Sequence, residues 1–310
     1  MVCLLEALGQ APRLSGGRAD VDGVARRARG FGQAHAPYLS RVTSSLRAPL
    51  RPALIAEGFT AVDLPWPPPV LMASVGSTNA EALLRAQSGA EEGTCVVAEE
   101  QTAGRGRHRR AWVSPPGAGL WGSVVIDLSG APSSGWGLLP LAAGLALGDA
   151  VTETTGLVPG VKWPNDLIIE MPGQSRKLAG ILVEVASPLG GGLRAVVGMG
   201  INVDLPDLPP GATSLVAEGH PPPSRELLLV AELHMLRQRV DQLRHDPQGL
   251  LADIRAHCVT VGRGVRIDLP GGQRITARAE GIGDDGSLEV IDDTGMRRFV
   301  TAGDVIHATI

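Results

Sequence analysis

Aromatic residues, cysteine, lysine and asparagine are all scarce in this chain of 310 residues. With five Trp, three Phe and one Tyr, it lacks the aromatic platforms on which single-stranded nucleic acids are stacked. The three cysteines, Cys3, Cys95 and Cys258, have no paired spacing. That spacing excludes a disulfide framework and a cysteine-based zinc site, and it indicates a reducing, cytoplasmic environment.

A large excess of one charge is also missing. The formal net charge is −4, so we expect no general attraction to nucleic acid or to a membrane surface. The longest apolar run, residues 136–147, is too short to span a bilayer and predicts a buried helix. Neither lysine follows a glycine, which excludes a P-loop. Two G-x-G-x-x-G strings, at 117–122 and 281–286, lack the flanking strand and helix of a dinucleotide site and predict turns.

Hydrophobic residues make up 44% of the chain and charged residues 19%, which is enough apolar material for a sizeable core. The pattern predicts an α+β protein, with a mixed β-sheet flanked by helices over residues 65–256. Short strands separated by glycine and aspartate turns predict a small β-barrel over residues 257–310. Residues 1–64 show no persistent apolar period. We expect them to be an N-terminal extension, either disordered or the result of a start assigned too far upstream.

The most unusual segment is the arginine-rich run from Gly104 to Trp112, in which Arg105, Gly106 and Arg107 alternate. Glycine allows the backbone to approach a ligand closely, and arginine offers paired donors to phosphate or carboxylate. These properties fit a small phosphorylated ligand. A nucleic-acid backbone and a merely solvated loop remain open at this point.

The only two lysines, Lys162 and Lys177, lie at the edges of apolar strands, where an unpaired charge is costly. Lys162 could simply pair with Asp166 or Glu184. Two glycines in the apolar run 196–203 indicate close approach of a ligand or another backbone. The cluster at residues 77–79 precedes a predicted helix, and on its own it would be an ordinary N-cap.

Taken in order, these strings resemble the biotin protein ligases, which attach biotin to carboxyl-carrier domains. The matching strings are Ser77-Thr78-Asn79 and residues 101–112, 162–166, 177–182 and 198–202. The resemblance extends from about residue 70 to residue 310. It implies a catalytic domain like that of class II synthetases, followed by an SH3-like barrel. No DNA-binding domain of the kind found in bifunctional ligase-repressors is recognisable.

The resemblance also implies a chemistry and a set of residues. Biotin reacts with ATP to give biotinyl-5'-AMP and pyrophosphate, and the biotinyl group then passes to a carrier lysine. Lys177 and Arg107 are the implied catalytic residues, and Mg²⁺ accompanies the phosphates, with Asp166 as a possible ligand. The implied biotin contacts are Ser77, Thr78, Asn79, Gln101, Arg105, Gly106, Arg107, Lys177, Gly198 and Gly200. The implied ATP and adenylate contacts are Arg105, Arg107, Trp112, Lys162, Asn165, Lys177 and Asn202.

The expected partner is the biotin carboxyl-carrier domain of a carboxylase, with no nucleic acid or membrane and a monomer or weak homodimer as the assembly. Every implied ligand contact precedes Val203, so the barrel is expected to add none. Arg109 departs from the family, which usually has glycine there. Two other functions remain open: a lipoate or octanoate transferase of the same fold, and a nucleic-acid-binding module that uses residues 105–110.

Overall fold

A computed structural model describes residues 47–188, 191–220 and 224–308 of the chain. Most of the expected N-terminal extension, residues 1–46, lies outside this described part. The described residues form two β-sheets with α-helices, which confirms the predicted α+β class.

The larger sheet has seven strands in the order β1-β2-β3-β7-β6-β5-β4. Its strands are β1 (Val70–Met72), β2 (Cys95–Ala98), β3 (Gly119–Asp127), β4 (Gly160–Lys162), β5 (Asp166–Met171), β6 (Gln174–Ala186) and β7 (Arg194–Asn202). The β1–β2 pair is parallel and all other pairs are antiparallel, so the sheet is mixed as predicted. The central strands β3 and β7 are almost entirely buried because both of their faces are covered.

Helices cover both faces of this sheet. The helices are α1 (Pro52–Ala61), α2 (Thr78–Gln87), α3 (Leu139–Thr155), α4 (Arg225–His245) and α5 (Pro247–His257). Helix α2 lies against β2, β3, β6 and β7, where Ala82 and Ala86 pack on Val125 and Val196. Helices α3 and α4 pack against each other over the opposite face. The Ser224 side chain caps α4 by accepting a hydrogen bond from the backbone N–H of Leu227.

The apolar helix that the sequence places near residue 140 is buried in this second layer. The span Ser133–Thr155 is long and apolar enough to cross a membrane by length and composition, and 72% of its most apolar window lies inside the protein. It therefore forms part of the core, in agreement with the prediction of a buried helix.

The second sheet has five antiparallel strands in the order β11-β10-β9-β8-β12. Its strands are β8 (Gly264–Asp268), β9 (Arg274–Ile282), β10 (Leu288–Asp292), β11 (Arg297–Val300) and β12 (Asp304–Ala308). Its apolar residues belong to the same continuous core as the larger sheet. The contact between the two is close: Trp163 Nε1 donates to the Gly286 carbonyl at 2.9 Å, and a Cβ on Gly137 would lie 2.0 Å from the Asp285 carbonyl oxygen.

Residues 47–64 fall within the expected N-terminal extension, but they pack against the rest of the described chain. Helix α1 packs on α4 and buries Ile55 and Phe59, and Leu50 ahead of it is also buried. Arg225 of α4 donates to the Ala48 carbonyl at 2.7 Å. The apolar residues of this ten-residue helix follow a helical spacing. That short pattern is not evident in the sequence, because the arginine-rich segment before it has no apolar period.

Candidate active site

A cavity of about 320 Å³ opens on the α2 side of the larger sheet. It lies between the sheet, the N-terminal end of α2 and two loops, at residues 104–113 and 205–212. Every residue that the resemblance implies as a ligand contact lines it, with the exception of Lys162. Those lining residues are Ser77, Thr78, Asn79, Gln101, Arg105, Gly106, Arg107, Trp112, Asn165, Lys177, Gly198, Gly200 and Asn202. Asp166, the suggested metal ligand, lines it as well.

The floor of the cavity is made of glycine. Gly180 on β6 and Gly200 on β7 are paired across the strands, as are Leu182 and Gly198, so all four face the same side. A Cβ on Gly198 would lie 2.0 Å from Asn79 Oδ1, and one on Gly200 would lie 2.7 Å from Trp112 Nε1. No larger residue fits either position without displacing a side chain of the wall. The close approach at these strand glycines is that of the Asn79 and Trp112 side chains, and the expected approach of a ligand stays a prediction.

The end wall of the cavity is a buried polar cluster at the start of α2. The backbone N–H and the hydroxyl of Thr78 donate to Gln101 Oε1 at 2.9 and 3.1 Å. Gln101 Nε2 donates to Ser114 Oγ at 2.9 Å. Ser77 is the N-cap residue by position, but its side chain makes no capping hydrogen bond. The Ser77 hydroxyl thus does not cap the helix, and Ser77 lines the cavity beside Thr78.

The arginine-rich loop is an ordered hairpin over the cavity. Gly106 N donates to the Arg110 carbonyl at 2.8 Å, and Trp112 N donates to the Gly104 carbonyl at 2.9 Å. His108 and Arg109 at its tip have φ values of 54° and 59°. This left-handed conformation is the one that glycine adopts most easily, so Arg109 occupies the family's glycine position with a glycine-like backbone.

Lys177 stands between a carboxylate and an aromatic ring. Its Nζ lies 2.6 Å from Asp166 Oδ1 and 5.2 Å from the centroid of the Trp112 ring. Both the carboxylate and the π face of Trp112 attract the Lys177 side chain electrostatically. The backbone of Lys177 also bonds to the second loop, because its N–H donates to the Gly211 carbonyl at 2.8 Å. The ammonium group is therefore held in the cavity.

Arg107 joins the two parts of the protein. Its Nη1 lies 3.2 Å from both Asn165 Oδ1 and the carbonyl oxygen of Gly303, which belongs to the barrel. Asp304, also of the barrel, lies 4.0 Å from Arg107 and forms an ion pair with Arg110. Asp304 lines the cavity. The barrel therefore contributes Asp304 to the cavity lining, whereas the expectation that it adds no contact to biotin or ATP stays a prediction.

Lys162 is not part of the cavity lining. Neither carboxylate suggested as its partner is in an ion pair with it. Asp166 pairs with Lys177, and Glu184 accepts a hydrogen bond from the Asn79 amide. Burial lowers the pKa of Lys162 and the neighbouring Lys177 lowers it further, whereas Asp166 and Asp304 raise it. Its place in nucleotide binding stays a prediction.

The described residues do not supply a protein-built metal site. No group of three His, Cys, Asp or Glu side chains among them could hold an ion. Asp166, the suggested ligand, is engaged with Lys177. The described side chains therefore do not provide enough ligands to hold a metal ion without the substrate. Mg²⁺ commonly binds through substrate phosphates with one or two carboxylates, so it would have to arrive with the nucleotide.

Several residues of the site could not be found from motifs. Ser123 on β3 is completely buried, and its hydroxyl lies 2.8 Å from Thr78 Oγ1 and 2.6 Å from Asn79 Oδ1. Glu184, Asp304 and the loop at 205–212 were likewise missed. For Ser123 the signal lies in strand register, because it is paired with Gly198, which already belonged to the site. Asn202 fixes the loop, because its Nδ2 donates to the Thr213 carbonyl at 2.9 Å.

Two family models match the chain. The biotin/lipoate A/B protein ligase family matches residues 71–204, and the biotin protein ligase C-terminal domain matches residues 260–308. The biotin–[acetyl-CoA-carboxylase] ligase of Mycobacterium tuberculosis is 40% identical over 268 residues, which cover 84% of this chain and 97% of that protein.

Solved structures of similar fold include two biotin protein ligases. The one from Aquifex aeolicus in complex with biotin and ATP has a TM-score of 0.66 at 24% identity, covering 77% of this chain and 99% of that chain. It supports the fold alone. The one from Leishmania major in complex with biotinyl-5-AMP has a TM-score of 0.53 at 26% identity, covering 76% of this chain and 100% of that chain.

Proposed function

The chain belongs to the biotin/lipoate A/B protein ligase family, and from that premise we propose that it is an ATP-dependent biotin–carboxyl-carrier protein ligase. Biotin and ATP are its substrates. The acceptor is a lysine of the biotin carboxyl-carrier domain of a carboxylase. One observation carries the proposal: a single cavity joins a buried polar pocket with a glycine floor to a group of fixed cations. The pocket suits a small neutral ring, and the cations suit phosphate.

In the first step an oxygen of the biotin carboxylate attacks the α-phosphorus of ATP. The bond from that phosphorus to the bridging oxygen breaks, and pyrophosphate leaves with the electron pair. Two anions must approach each other, so fixed positive charge lowers the barrier. Lys177 acts on the carboxylate and α-phosphate oxygens. Arg107 and Arg105 hold phosphate oxygens, and Arg107 is itself oriented by Asn165 and the Gly303 carbonyl.

In the second step the neutral amine of the carrier lysine attacks the biotinyl carbonyl carbon. The bond from that carbon to the phosphate oxygen breaks, AMP leaves, and the amine gives up a proton to solvent. Water is the competing nucleophile, so the adenylate must be covered. The hairpin at 104–112 and the loop at 205–212 cover it. Trp112 lies against the nucleotide side, and Asn202 fixes the second loop through Thr213.

The remaining properties follow from the same proposal. The protein acts in the cytoplasm as a monomer or weak homodimer, because carboxylases and ATP are its partners and described residues of a single chain line the cavity. Mg²⁺ enters with ATP and is not assigned a protein ligand. Nucleic acid and membrane are not partners, in line with the net charge of −4.

Calorimetry of biotin with and without ATP tests the proposal. Pyrophosphate release should require biotin, and a purified carrier domain should gain one biotinyl group. Matched controls are a carrier domain whose acceptor lysine is arginine, and lipoate or octanoate in place of biotin. Adenylation of lipoate or octanoate with biotin inactive would identify a different acyl ligase and refute the proposal. DNA or RNA binding that weakens with salt, without pyrophosphate release, would do so too.

A further inference from the structure

Two residues behind the cavity wall fix the direction of its hydrogen bonds. Asn79 Nδ2 donates to Glu184 Oε2 at 2.9 Å and to the Leu182 carbonyl at 3.3 Å. Its Oδ1 accepts from the hydroxyl of Ser123 at 2.6 Å. Glu184 and Ser123 do not line the cavity, whereas Asn79 does. Asn79 is only 4% exposed, so these contacts are sheltered from water.

The orientation of the Asn79 amide follows from its partners. A carboxylate and a backbone carbonyl can only accept hydrogen bonds, so both must face the NH₂ group. Both protons of that group are then used. The oxygen has two lone pairs and Ser123 occupies one, so a single acceptor site remains. Oδ1 lies directly above Gly198, on the floor of the cavity. Asn79 can accept a hydrogen bond from a ligand but cannot donate one.

Gln101 has the opposite polarity. Its Oε1 accepts twice from Thr78, and its Nε2 donates once to Ser114. One N–H of its amide has no partner among the residues that the structure describes, and Gln101 lines the same wall as Asn79. The wall thus presents an acceptor on Asn79 and a donor on Gln101. A cyclic urea has the complementary pattern, with N–H donors on either side of a carbonyl acceptor.

We propose that Glu184 and Ser123 are positioning residues that hold the Asn79 amide as an acceptor for an N–H of a cyclic urea. This inference rests on the proposed function, since the ring of biotin is such a urea. It explains how the site would reject acyl chains that lack the urea. A fatty acyl chain would leave the Asn79 acceptor and the Gln101 donor unpaired in a dry pocket, which is costly.

A swap of the pair tests the proposal. Asn79→Asp places two carboxylates against each other and should weaken biotin binding about 100-fold, the scale of an uncompensated buried group. Adding Glu184→Gln restores a donor–acceptor pair of reversed polarity and keeps an oxygen above Gly198. Biotin affinity in this double variant should recover by about ten-fold, since contacting residues are energetically coupled. Recovery stays partial because the Leu182 carbonyl would face an oxygen.

A second variant separates positioning from a general structural role. Glu184→Leu removes the acceptor and should raise the biotin Kd about ten-fold, the loss expected for one hydrogen bond to a charged group. The rate of pyrophosphate release at saturating biotin and the ATP affinity should stay near those of the parent. Glu81→Gln is the matched control. Glu81 is a glutamate of α2 that pairs with Arg85 outside the cavity, so its replacement also removes one carboxylate. It should change neither the biotin Kd nor the rate of pyrophosphate release.

The outcomes are distinguishable. A parent protein that does not bind biotin would refute the proposed function. A parent that binds biotin, with a double variant no better than Asn79→Asp, would overturn the inference. A Glu184→Leu variant that keeps full biotin affinity would also overturn the inference. The same holds for a Glu184→Leu variant in which the rate of pyrophosphate release at saturating biotin and the melting temperature fall instead of the biotin affinity. Calorimetry, single-turnover release and thermal unfolding on the same samples give all three readings.

Discussion

Replacing Lys177 by methionine removes the one ammonium group that lines the cavity among the described residues. The side chain length is nearly kept, so the change tests charge rather than packing. Adenylation should slow sharply because Lys177 is the cation assigned to the reacting oxygens. Lys177→Arg should also slow it. The Cε and Nζ atoms of Lys177 lie over Gly180, 3.2 Å from the place of a Cβ, with Trp112 equally close. That space does not admit a planar guanidinium in the same position.

The size of the effect follows from the surroundings. Losing one preorganised donor in such a site costs about 10²–10³ in rate, or about 2.7–4 kcal/mol. In the parent protein Asp166 Oδ1 lies 2.6 Å from the Lys177 ammonium. Without that ammonium the Asp166 carboxylate would face the incoming anions without this partner. Lys177→Met should therefore lie at the upper end of that range, and Lys177→Arg should lose about ten-fold. Adding Asp166→Asn to Lys177→Met should recover part of the rate, because the unpaired carboxylate is removed.

Single-turnover pyrophosphate release at saturating biotin and ATP measures these rates, with biotin affinity determined separately. Arg176→Met is the matched control. It removes a neighbouring cation of β6 that pairs with Glu218 and does not line the cavity, and its rate should stay within about three-fold of the parent, the scale of a partly exposed ion pair. A Lys177→Met protein that releases pyrophosphate within ten-fold of the parent rate would contradict the role assigned to Lys177.

Three further predictions concern other parts of the chain. Arg107→Ala should speed the dissociation of labelled adenylate more than it weakens the binding of free biotin. Equal losses of adenylate and biotin binding would mean that Arg107 is only a structural residue of the loop. Burial raises the pKa of Glu232 to about 8 from its ordinary 4.5. The unfolded chain loses this proton first, so stability should fall as pH rises from about 4.5 through 8. Glu232→Gln should reduce that fall in thermal melts and leave the share of Glu153, whose pKa burial also raises to about 8; an unchanged pH slope would refute the assignment. Deleting residues 1–46 should leave carrier biotinylation intact, because every residue assigned to the site lies beyond them and their sequence shows no persistent apolar period; a truncated protein that fails to fold would contradict this.

Motifs located most of the site because its chemistry lies in short strings. The serine, threonine and asparagine at the start of α2, the arginine loop and the strand glycines all line one cavity. Composition could not place Ser123 or Glu184, because an isolated serine or glutamate in a strand carries no pattern. Their roles depend on register across β3, β7 and β6, which is a property of the folded sheet.

Other differences have equally physical causes. Helix α1 has only ten residues and follows an arginine-rich segment without an apolar period, so the sequence predicts a single extension there. Helix α5 went unpredicted because it begins at Pro247, directly after α4 ends. Asp304 was missed because long-range contacts between two sheets leave no local trace. The resemblance implies Lys162 as a nucleotide contact, but its side chain is not part of the cavity lining.

The contact of Arg107 and Arg110 with Gly303 and Asp304 bears on how the protein is made. A ribosome produces the chain from the N-terminal side, and domains fold in that order. Every residue assigned to biotin has been synthesised well before β12 appears. Until then the arginine hairpin lacks its hydrogen bond to the Gly303 carbonyl and its ion pair with Asp304. A nascent chain therefore carries every residue assigned to biotin before the barrel contacts of the arginine hairpin exist.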